Sequence, residues 1–170
     1  MSRLTYEQIR PTEKQVEENS TLMDNVVKEI VTPYVKDLDK YVEFIASILK
    51  DGQNPPTNAE LDDFCMNLST YIYFASGMCE YLGIRDDISK AIYREIYHSK
   101  RAELDSGTVA DKNSLAELQS QNEQLTSICF TRAYKIMRSK VDAAQELLSS
   151  IKKVISRRMQ EYELTRLQSN

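Results

Sequence analysis

Apolar residues recur along most of the chain at intervals of three and four, which is the period of an amphipathic α-helix. The first such stretch begins at Thr21, which forms a variant of the capping box with Asp24, and it continues to Leu49. Pro33 lacks a backbone donor and should kink or split this helix. The predicted buried stripe consists of Leu22, Val26, Val27, Ile30, Val31, Val35, Leu38, Val42, Ile45 and Leu49.

The clearest loop is residues 51–56, which combine Asp, Gly, Asn and two Pro residues. A capping box of Thr57 and Glu60 opens the second helix. Gly83 stands where helices often end on a left-handed glycine, and a third helix is predicted from the Asp86-Asp87 pair. The stripe of the second helix is Leu61, Phe64, Cys65, Leu68, Tyr71, Ile72, Ala75, Met78, Cys79 and Leu82, and Tyr73 and Phe74 are also assigned to the core. The apolar side of the third is Ile88, Ala91, Ile92, Ile96 and Leu104.

Ser106-Gly107 interrupts the pattern, and Thr108 with Asp111 caps a fourth helix that runs without Pro or Gly to about Leu167. Its apolar spacing suits a helix that packs against partner helices. The predicted stripe is Leu115, Leu118, Leu125, Cys129, Ala133, Ile136, Val141, Ala144, Leu148, Ile151 and Ile155, with Leu147 and Val154 alongside. At 1.5 Å per residue, a helix of roughly 50 residues is ~75 Å long, more than the diameter of a globule of this mass. We expect it to break near residues 119–124, where the stripe weakens, or to protrude and pack against other subunits.

The composition supports an all-α fold. Only 4 Gly and 4 Pro punctuate 170 residues, and these are too few for the frequent turns of a β-sandwich or a Rossmann domain. We predict a helical bundle with one long C-terminal helix, which is oligomeric. We divide it into a flexible acidic arm (1–20), a helical bundle (21–105) and a long helical segment for oligomerisation or binding (106–170).

Composition also limits the cellular compartment in which we expect the protein. The chain is 41% hydrophobic and 28% charged, which excludes a disordered acidic chain, and its apolar runs are far shorter than the ~20 residues of a spanning helix. The N-terminus lacks the apolar core of a signal peptide. Cys65, Cys79 and Cys129 are odd in number and have apolar neighbours. We interpret them as buried thiols of a cytoplasmic protein.

Charge is unevenly divided along the chain, whose net charge is −4. Residues 1–80 carry 7 basic and 14 acidic side chains, whereas residues 81–170 carry 15 and 12. Within residues 132–158 only Asp142 and Glu146 oppose the cations Arg132, Lys135, Arg138, Lys140, Lys152, Lys153, Arg157 and Arg158. Three interpretations stay open: an acidic end that meets a basic end of another copy, a basic surface for a polyanion, and a solvated helix face.

Catalytic options are few. His98 is the only histidine, and the adjacent Ser99 points elsewhere on a helix. No CxxC, HExxH, GxxxxGK or GxGxxG motif occurs. The pairs Asp62-Asp63 and Asp86-Asp87 diverge by about 100° on a helix and are interpreted as helix N-terminal charges. We predict no catalytic residue, metal or cofactor. A small-molecule enzyme is a third alternative that would need a concave polar pocket.

Rings and cations alternate in the third helix. Tyr93, Tyr97 and Arg101 are four apart and share a face, and Lys100 is three residues from Tyr97. Such a surface binds single-stranded nucleic acid, because cations contact phosphates and rings stack on bases. The alternative is that both tyrosines are core residues with solvated hydroxyls, and spacing alone favours that alternative.

The run Tyr97-His98-Ser99-Lys100, followed by Ser106-Gly107, resembles the phage recombination mediators of the UvsY family. In that family a Tyr-His-x-Lys-like helix leads into an aromatic pair, then into Ser-Gly and a long helical segment. This chain has Leu104-Asp105 in place of the aromatic pair. The segments Lys140–Ala144 and Ile151–Arg158 have a similar texture, so the resemblance covers about residues 88–160.

The resemblance implies a non-enzymatic protein of a phage-infected bacterial cytoplasm. Such mediators form ring-like homo-oligomers, bind single-stranded DNA and help a RecA-like recombinase replace a single-strand-binding protein. Lys100 would match the family's DNA-contacting lysine, and Arg101 is a looser counterpart. The alternative function is a structural or adaptor helical oligomer, a phage-particle component or a partner-binding inhibitor, without a nucleic-acid role. The candidate DNA-binding residues are Tyr93, Arg94, Tyr97, His98, Lys100, Arg101, Lys152, Lys153, Arg157 and Arg158.

Overall fold

The computed structural model describes residues 6–50 and 54–168, with side chains from residue 12 onwards. Of the described residues 93% are helical and none is in a strand, which confirms the all-α fold with a long C-terminal helix. The helices are α1 (Tyr6–Lys50), α2 (Asn58–Ala102), α3 (Val109–Gln119) and α4 (Gln121–Gln168).

The chain divides into two compact units. Unit 1 comprises Met1–Thr32 and Leu82–Tyr134, and unit 2 comprises Pro33–Tyr81 and Lys135–Asn170. The helices α1, α2 and α4 each contribute one segment to each unit, whereas α3 belongs to unit 1.

The core of unit 2 is apolar. Side chains at three- and four-residue intervals on its segments of α1, α2 and α4 pack together, as expected for amphipathic helices. Around them the Tyr41 and Tyr71 rings lie 5.0 Å apart, and Lys140 Nζ donates to both carboxylate oxygens of Asp39 at 2.6 and 2.7 Å. The buried apolar residues are Val35, Leu38, Ile45, Leu61, Phe64, Leu68, Ile72, Ala75, Cys79, Met137, Val141, Ala144 and Ile151.

The core of unit 1 is mixed. Thr131 Oγ1 of α4 donates to the buried Asp86 Oδ1 at 2.5 Å, and Lys90 Nζ donates to Asp86 Oδ2 at 2.7 Å. These bonds compensate the desolvation of the carboxylate. The buried apolar residues are Val27, Val31, Leu82, Ala116 and Ala133, and the buried polar residues are Asp86, Ser89, Ser120 and Ser127.

The first helix differs from the prediction. It begins at Tyr6, so residues 6–20 of the predicted flexible acidic arm are helical, and residues 1–5 lie outside the described part. Thr21 does not cap a helix, because its hydroxyl donates to the Glu17 carbonyl, a bond made inside helices. The helix also continues past Pro33 without splitting. Pro33 is exposed, so water can solvate the carbonyl that its missing N–H leaves unpaired.

The predicted boundary between a second and a third helix is wrong, since α2 is continuous through it. Gly83 is helical: among the described residues only Gly107 has a positive φ. A Cβ at Gly83 would lie 3.2 Å from Tyr134 Cε2, so a side chain at this position would press on that ring. Asp86 is a buried hydrogen-bond acceptor within the helix, not an N-terminal charge.

The other helix boundaries follow the prediction. The Thr57–Glu60 and Thr108–Asp111 capping boxes both form. The C-terminal region breaks at Ser120, inside the predicted interval 119–124. The Ser120 side chain is fully buried and its hydroxyl donates to the Ala116 carbonyl at 2.8 Å, so this residue both ends α3 and fills the core.

Several predicted core residues are exposed. Tyr73 and Phe74 are the clearest, since the buried positions Leu68, Ile72 and Ala75 place the core on another face of α2. Ile88 and Ile92 are exposed because Leu82, Asp86 and Ser89 define the buried face in unit 1. The remaining exposed members of the predicted stripes are Leu22, Val26, Leu49, Met78, Ala91, Leu115, Leu118, Leu125 and Ile136.

Candidate nucleic-acid interface

The ten predicted DNA-binding residues fall into two groups. Residues 93–101 lie on the α2 segment of unit 1, and residues 152–158 lie on the α4 segment of unit 2. Each group lies on a single helix. Neighbouring turns of that helix place residues three and four apart side by side.

The two tyrosines of the α2 group are half-buried. Tyr93 and Tyr97 continue the three- and four-residue spacing of the buried residues Asp86 and Ser89, so they lie on the face that packs within unit 1. Their ring centroids are 6.3 Å apart and their planes are tilted by 47°. This placement favours the interpretation of core rings, because a half-buried ring offers little face for a stacked base.

The cations of the α2 group differ in accessibility. Arg94 and His98 are exposed, and the His98 ring lies 5.3 Å from that of Tyr97. Lys100 and Arg101 are half-buried, and Lys100 Nζ pairs with Glu103 Oε2 at 3.1 Å. A surface ion pair of this kind contributes little and breaks easily. Lys100 therefore reaches a phosphate only in competition with Glu103.

The α4 group contains the most accessible cations. Lys152, Lys153 and Arg157 are all exposed, and Arg157 Nε lies 3.6 Å from Glu161 Oε1. Lys153 and Arg157 are four residues apart and share a face of the helix. Lys153 and Arg157 form a short cationic surface that is suited to phosphate groups, and Lys152 points about 100° away from Lys153 around the helix.

Arg158 has a structural position. It is half-buried, and its Nη1 donates to the Pro56 carbonyl at 2.6 Å and to Asn58 Oδ1 at 3.3 Å. These bonds tie α4 to the segment that leads into α2. No sequence signal pointed to them, because the partners lie about a hundred positions away. Of the predicted DNA-binding cations, Arg158 is the one whose contacts tie together segments distant in sequence.

Two exposed rings, predicted from the spacing to lie in the core, form a separate surface feature of unit 2. Tyr73 and Phe74 of unit 2 contact each other edge to face, with centroids 5.5 Å apart. A signal for their exposure did exist, since the apolar residues 68, 72, 75 and 79 already complete one helical stripe without them.

Among the described residues, a polar depression of about 590 Å³ lies beside Lys153 and is lined by Asp142, Gln145, Glu146, Ser149 and Ser150. The described residues hold no cluster of three or more His, Cys, Asp or Glu side chains that suits a metal ion. An apolar cavity of about 280 Å³ in unit 2 has Arg158 and Ser150 as its polar lining. Cys79 is buried, but Cys65 and Cys129 are only half-buried, which corrects the prediction for those two. Burial raises the pKa of the Cys65 and Cys79 thiols, so both stay protonated at neutral pH.

No family model matches the chain, and no curated protein or solved structure shows significant similarity to it. The resemblance to the UvsY family therefore stays a prediction. None of the described helices combines the length and the apolar composition needed to span a membrane.

Proposed function

We propose that the chain is a single-stranded-DNA-binding recombination mediator that acts as a homo-oligomer and assists the loading of a RecA-like recombinase. The observation that carries the DNA-binding part is the exposure of three cations on α4, with Lys153 and Arg157 on one face of the helix and Lys152 on the neighbouring face. The mediator role, with a recombinase and a single-strand-binding protein as partners, is supported by the sequence resemblance alone.

The physical basis of binding is neutralisation of phosphates. Each cation that contacts a phosphate releases condensed counterions, so affinity falls as salt rises. Because Tyr93 and Tyr97 are half-buried, we expect binding to depend on cations more than on stacking. Little preference for base sequence follows, since phosphate contacts carry no sequence information.

The direct test is fluorescence anisotropy of a labelled oligonucleotide of ~30 bases, measured between ~50 and ~200 mM salt. The double variant Lys152→Glu/Lys153→Glu should bind at least ~10-fold more weakly and should lower the salt slope by about 1.4. The matched control is Lys36→Glu/Lys40→Glu, since both residues are exposed on α1 of the same unit. An equal loss in both variants would reduce the effect to net charge and contradict the site.

The α2 group has its own test. Lys100→Ala should weaken binding, whereas Glu103→Gln should strengthen it, because it releases Lys100 from its ion pair. A structural role for the pair predicts that the two variants weaken binding alike. Tyr97→Leu should cost less than the ~1–3 kcal/mol of a fully stacked base.

The structural or adaptor oligomer is the second candidate function. It is favoured by the engagement of two cations from residues 132–158 within the chain, which leaves them less able to contact phosphates. Lys140 pairs with the Asp39 carboxylate, and Arg158 donates to the Pro56 carbonyl. It predicts an oligomer whose mass by light scattering does not change when an oligonucleotide is added. An intact oligomer that fails to shift the anisotropy at ~50 mM salt would establish this candidate over the first.

A further inference from the structure

One face of α2 in unit 2 carries large exposed side chains. Tyr73 is 76% exposed, Phe74 64% and Tyr81 48%, and Met66 is 72% exposed. The Tyr81 ring also contacts the Tyr34 ring edge to face, with centroids 6.5 Å apart, which holds its exposed part in place. Apolar surface of this size on a helix marks an interaction site more often than chance exposure. We name it the ring–glycine face, and its members are Met66, Thr70, Tyr73, Phe74, Gly77 and Tyr81.

Gly77 stands in the middle of this face. It is helical, without the positive φ that requires glycine, and a Cβ added to it would meet nothing within 4 Å. A glycine inside a helix costs roughly 0.5–1 kcal/mol relative to alanine. No turn or contact within the described part of the chain explains that cost. The close approach of another molecule does explain it, because the missing side chain leaves a notch between Tyr73 and Tyr81.

The helix around the notch has no charge. Residues 64–79 include no Asp, Glu, Lys or Arg, although much of this stretch is exposed. The cores of protein interfaces are depleted in charged residues and enriched in Tyr, Phe and Met. The face therefore fits a partner surface that is itself uncharged and aromatic.

We propose that the ring–glycine face binds the same face of a second copy of this chain, with the two α2 helices antiparallel and Gly77 at the crossing point. Tyr73 precedes Gly77 by four residues and Tyr81 follows it by four. A two-fold axis through Gly77 therefore places Tyr73 of one copy against Tyr81 of the other, twice. Such a self-complementary patch is what a two-fold dimer requires.

The area suffices for a dimer of modest affinity. A large aromatic side chain buries ~150–250 Å², so the uncovered parts of the three rings offer roughly 300–450 Å² per copy. The exposed neighbour Met78 adds to this area, and the total corresponds to a weak interface that is smaller than the ~800 Å² per partner of the standard size. None of these residues belongs to the candidate DNA-binding surface. The dimer and DNA binding can therefore be tested independently, and the failure of one does not contradict the other.

Sedimentation velocity of the full chain between ~1 and ~100 μM tests the proposal. Gly77→Leu should raise the dissociation constant of the dimer at least ~10-fold without harming the monomer, since the added side chain enters open space. Tyr73→Ser should act in the same direction. The matched control is Tyr162→Ser on α4, a tyrosine 72% exposed, which should leave the dimer intact. A wild-type chain that stays monomeric, or a dimer indifferent to Gly77→Leu, would overturn the proposal.

Disulfide trapping tests the geometry. Tyr73→Cys and Tyr81→Cys chains, mixed and oxidised, should yield a disulfide that joins position 73 of one copy to position 81 of the other, identified by mass spectrometry. The unmodified chain, with its native Cys65 and Cys129, is oxidised in parallel as the background. A main product that joins position 73 of both copies would indicate parallel helices and contradict the two-fold arrangement.

Discussion

The two units achieve burial with different chemistry. All the described buried side chains of the unit 2 core are apolar, with Ile45, Leu68 and Met137 fully enclosed. The four buried polar side chains of the described chain all lie in unit 1, beside small residues such as Ala116 and Ala133. Apolar burial stabilises the fold in proportion to the buried area. The hydrogen bonds and ion pair of a buried carboxylate, in contrast, mainly offset the free energy lost when that carboxylate leaves water. Unit 2 should therefore be the more stable unit, with slower amide hydrogen exchange.

The contrast teaches what each core specifies. Apolar side chains of similar volume tolerate small shifts between helices, but the bonds from Thr131 and Lys90 to Asp86 fix distances between atoms. The Tyr134 ring against Gly83 adds a close steric contact. In unit 1 these contacts therefore define the register of α2 against α4, whereas the apolar core of unit 2 contributes mainly to stability.

The largest effect should come from the unit 2 core. Leu68→Ala removes a fully buried side chain and should lower the free energy of unfolding by ~2–5 kcal/mol. Chemical denaturation measures the loss, and hydrogen exchange locates it in unit 2. Leu164→Ala on the exposed end of α4 is the control and should change stability by no more than ~0.5 kcal/mol. Equal losses for the two variants would contradict the assigned core.

A smaller effect should come from the polar core of unit 1. Asp86→Ala leaves the Thr131 hydroxyl without its acceptor and should cost about 1–3 kcal/mol. Asp87→Ala is the matched control, since that neighbour is exposed. The comparison between units is sharpened if exchange accelerates in unit 1 for Asp86→Ala while unit 2 keeps its protection. A uniform acceleration would show that the two units unfold together.

The predicted elements succeeded where the signal was local. Thr57 with Glu60 and Thr108 with Asp111 are three residues apart, so the sequence contains both partners of each capping bond. Gly83, Asp86 and Thr21 also resemble boundary residues. Their roles depend on Tyr134, on Thr131 and on the continuation of α1, and no local pattern encodes these.

The candidate site follows the same rule. Spacing predicted correctly that residues 93–101 and 152–158 lie on helices, and it favoured core tyrosines with solvated hydroxyls, whereas Tyr93 and Tyr97 are half-buried. It could not predict which cations are engaged, because the partner of Arg158 is a backbone carbonyl far away in sequence. Exposure, which decides whether a lysine can meet a phosphate, is a property of the packed helices.

The capping boxes offer a comparison of equal geometry in different units. Thr108→Ala in unit 1 and Thr57→Ala in unit 2 each remove one cap, which typically costs ~1 kcal/mol. The Thr108 variant should disturb local exchange more, because α3 has 11 residues and α2 has 45. A larger local effect for Thr57→Ala would contradict this dependence on helix length.

The same boxes give a pH dependence. Hydrogen bonds from Thr108 lower the pKa of Asp111, and those from Thr57 lower the pKa of Glu60. A carboxyl whose pKa is lower in the folded state stabilises the fold above its ordinary pKa. That contribution disappears as the pH falls through the lowered value. The losses in Thr108→Ala and Thr57→Ala should thus be present at pH 7 and shrink in acid, as thermal unfolding at the two pH values would show.

The smallest expected change in stability comes from alanine substitution of two glycines of α2, Gly77 in unit 2 and Gly83 in unit 1. Gly77→Ala adds a methyl group in open space and should stabilise the monomer by ~0.5–1 kcal/mol, because alanine is the better helix former. Gly83→Ala gains the same propensity but presses its Cβ against Tyr134 at 3.2 Å, so we expect no gain or a net loss. Denaturation at concentrations below self-association measures both. Since the backbone of both residues is helical, any difference reports the packing of unit 1 alone, and equal gains would show that the Tyr134 ring moves aside at no cost.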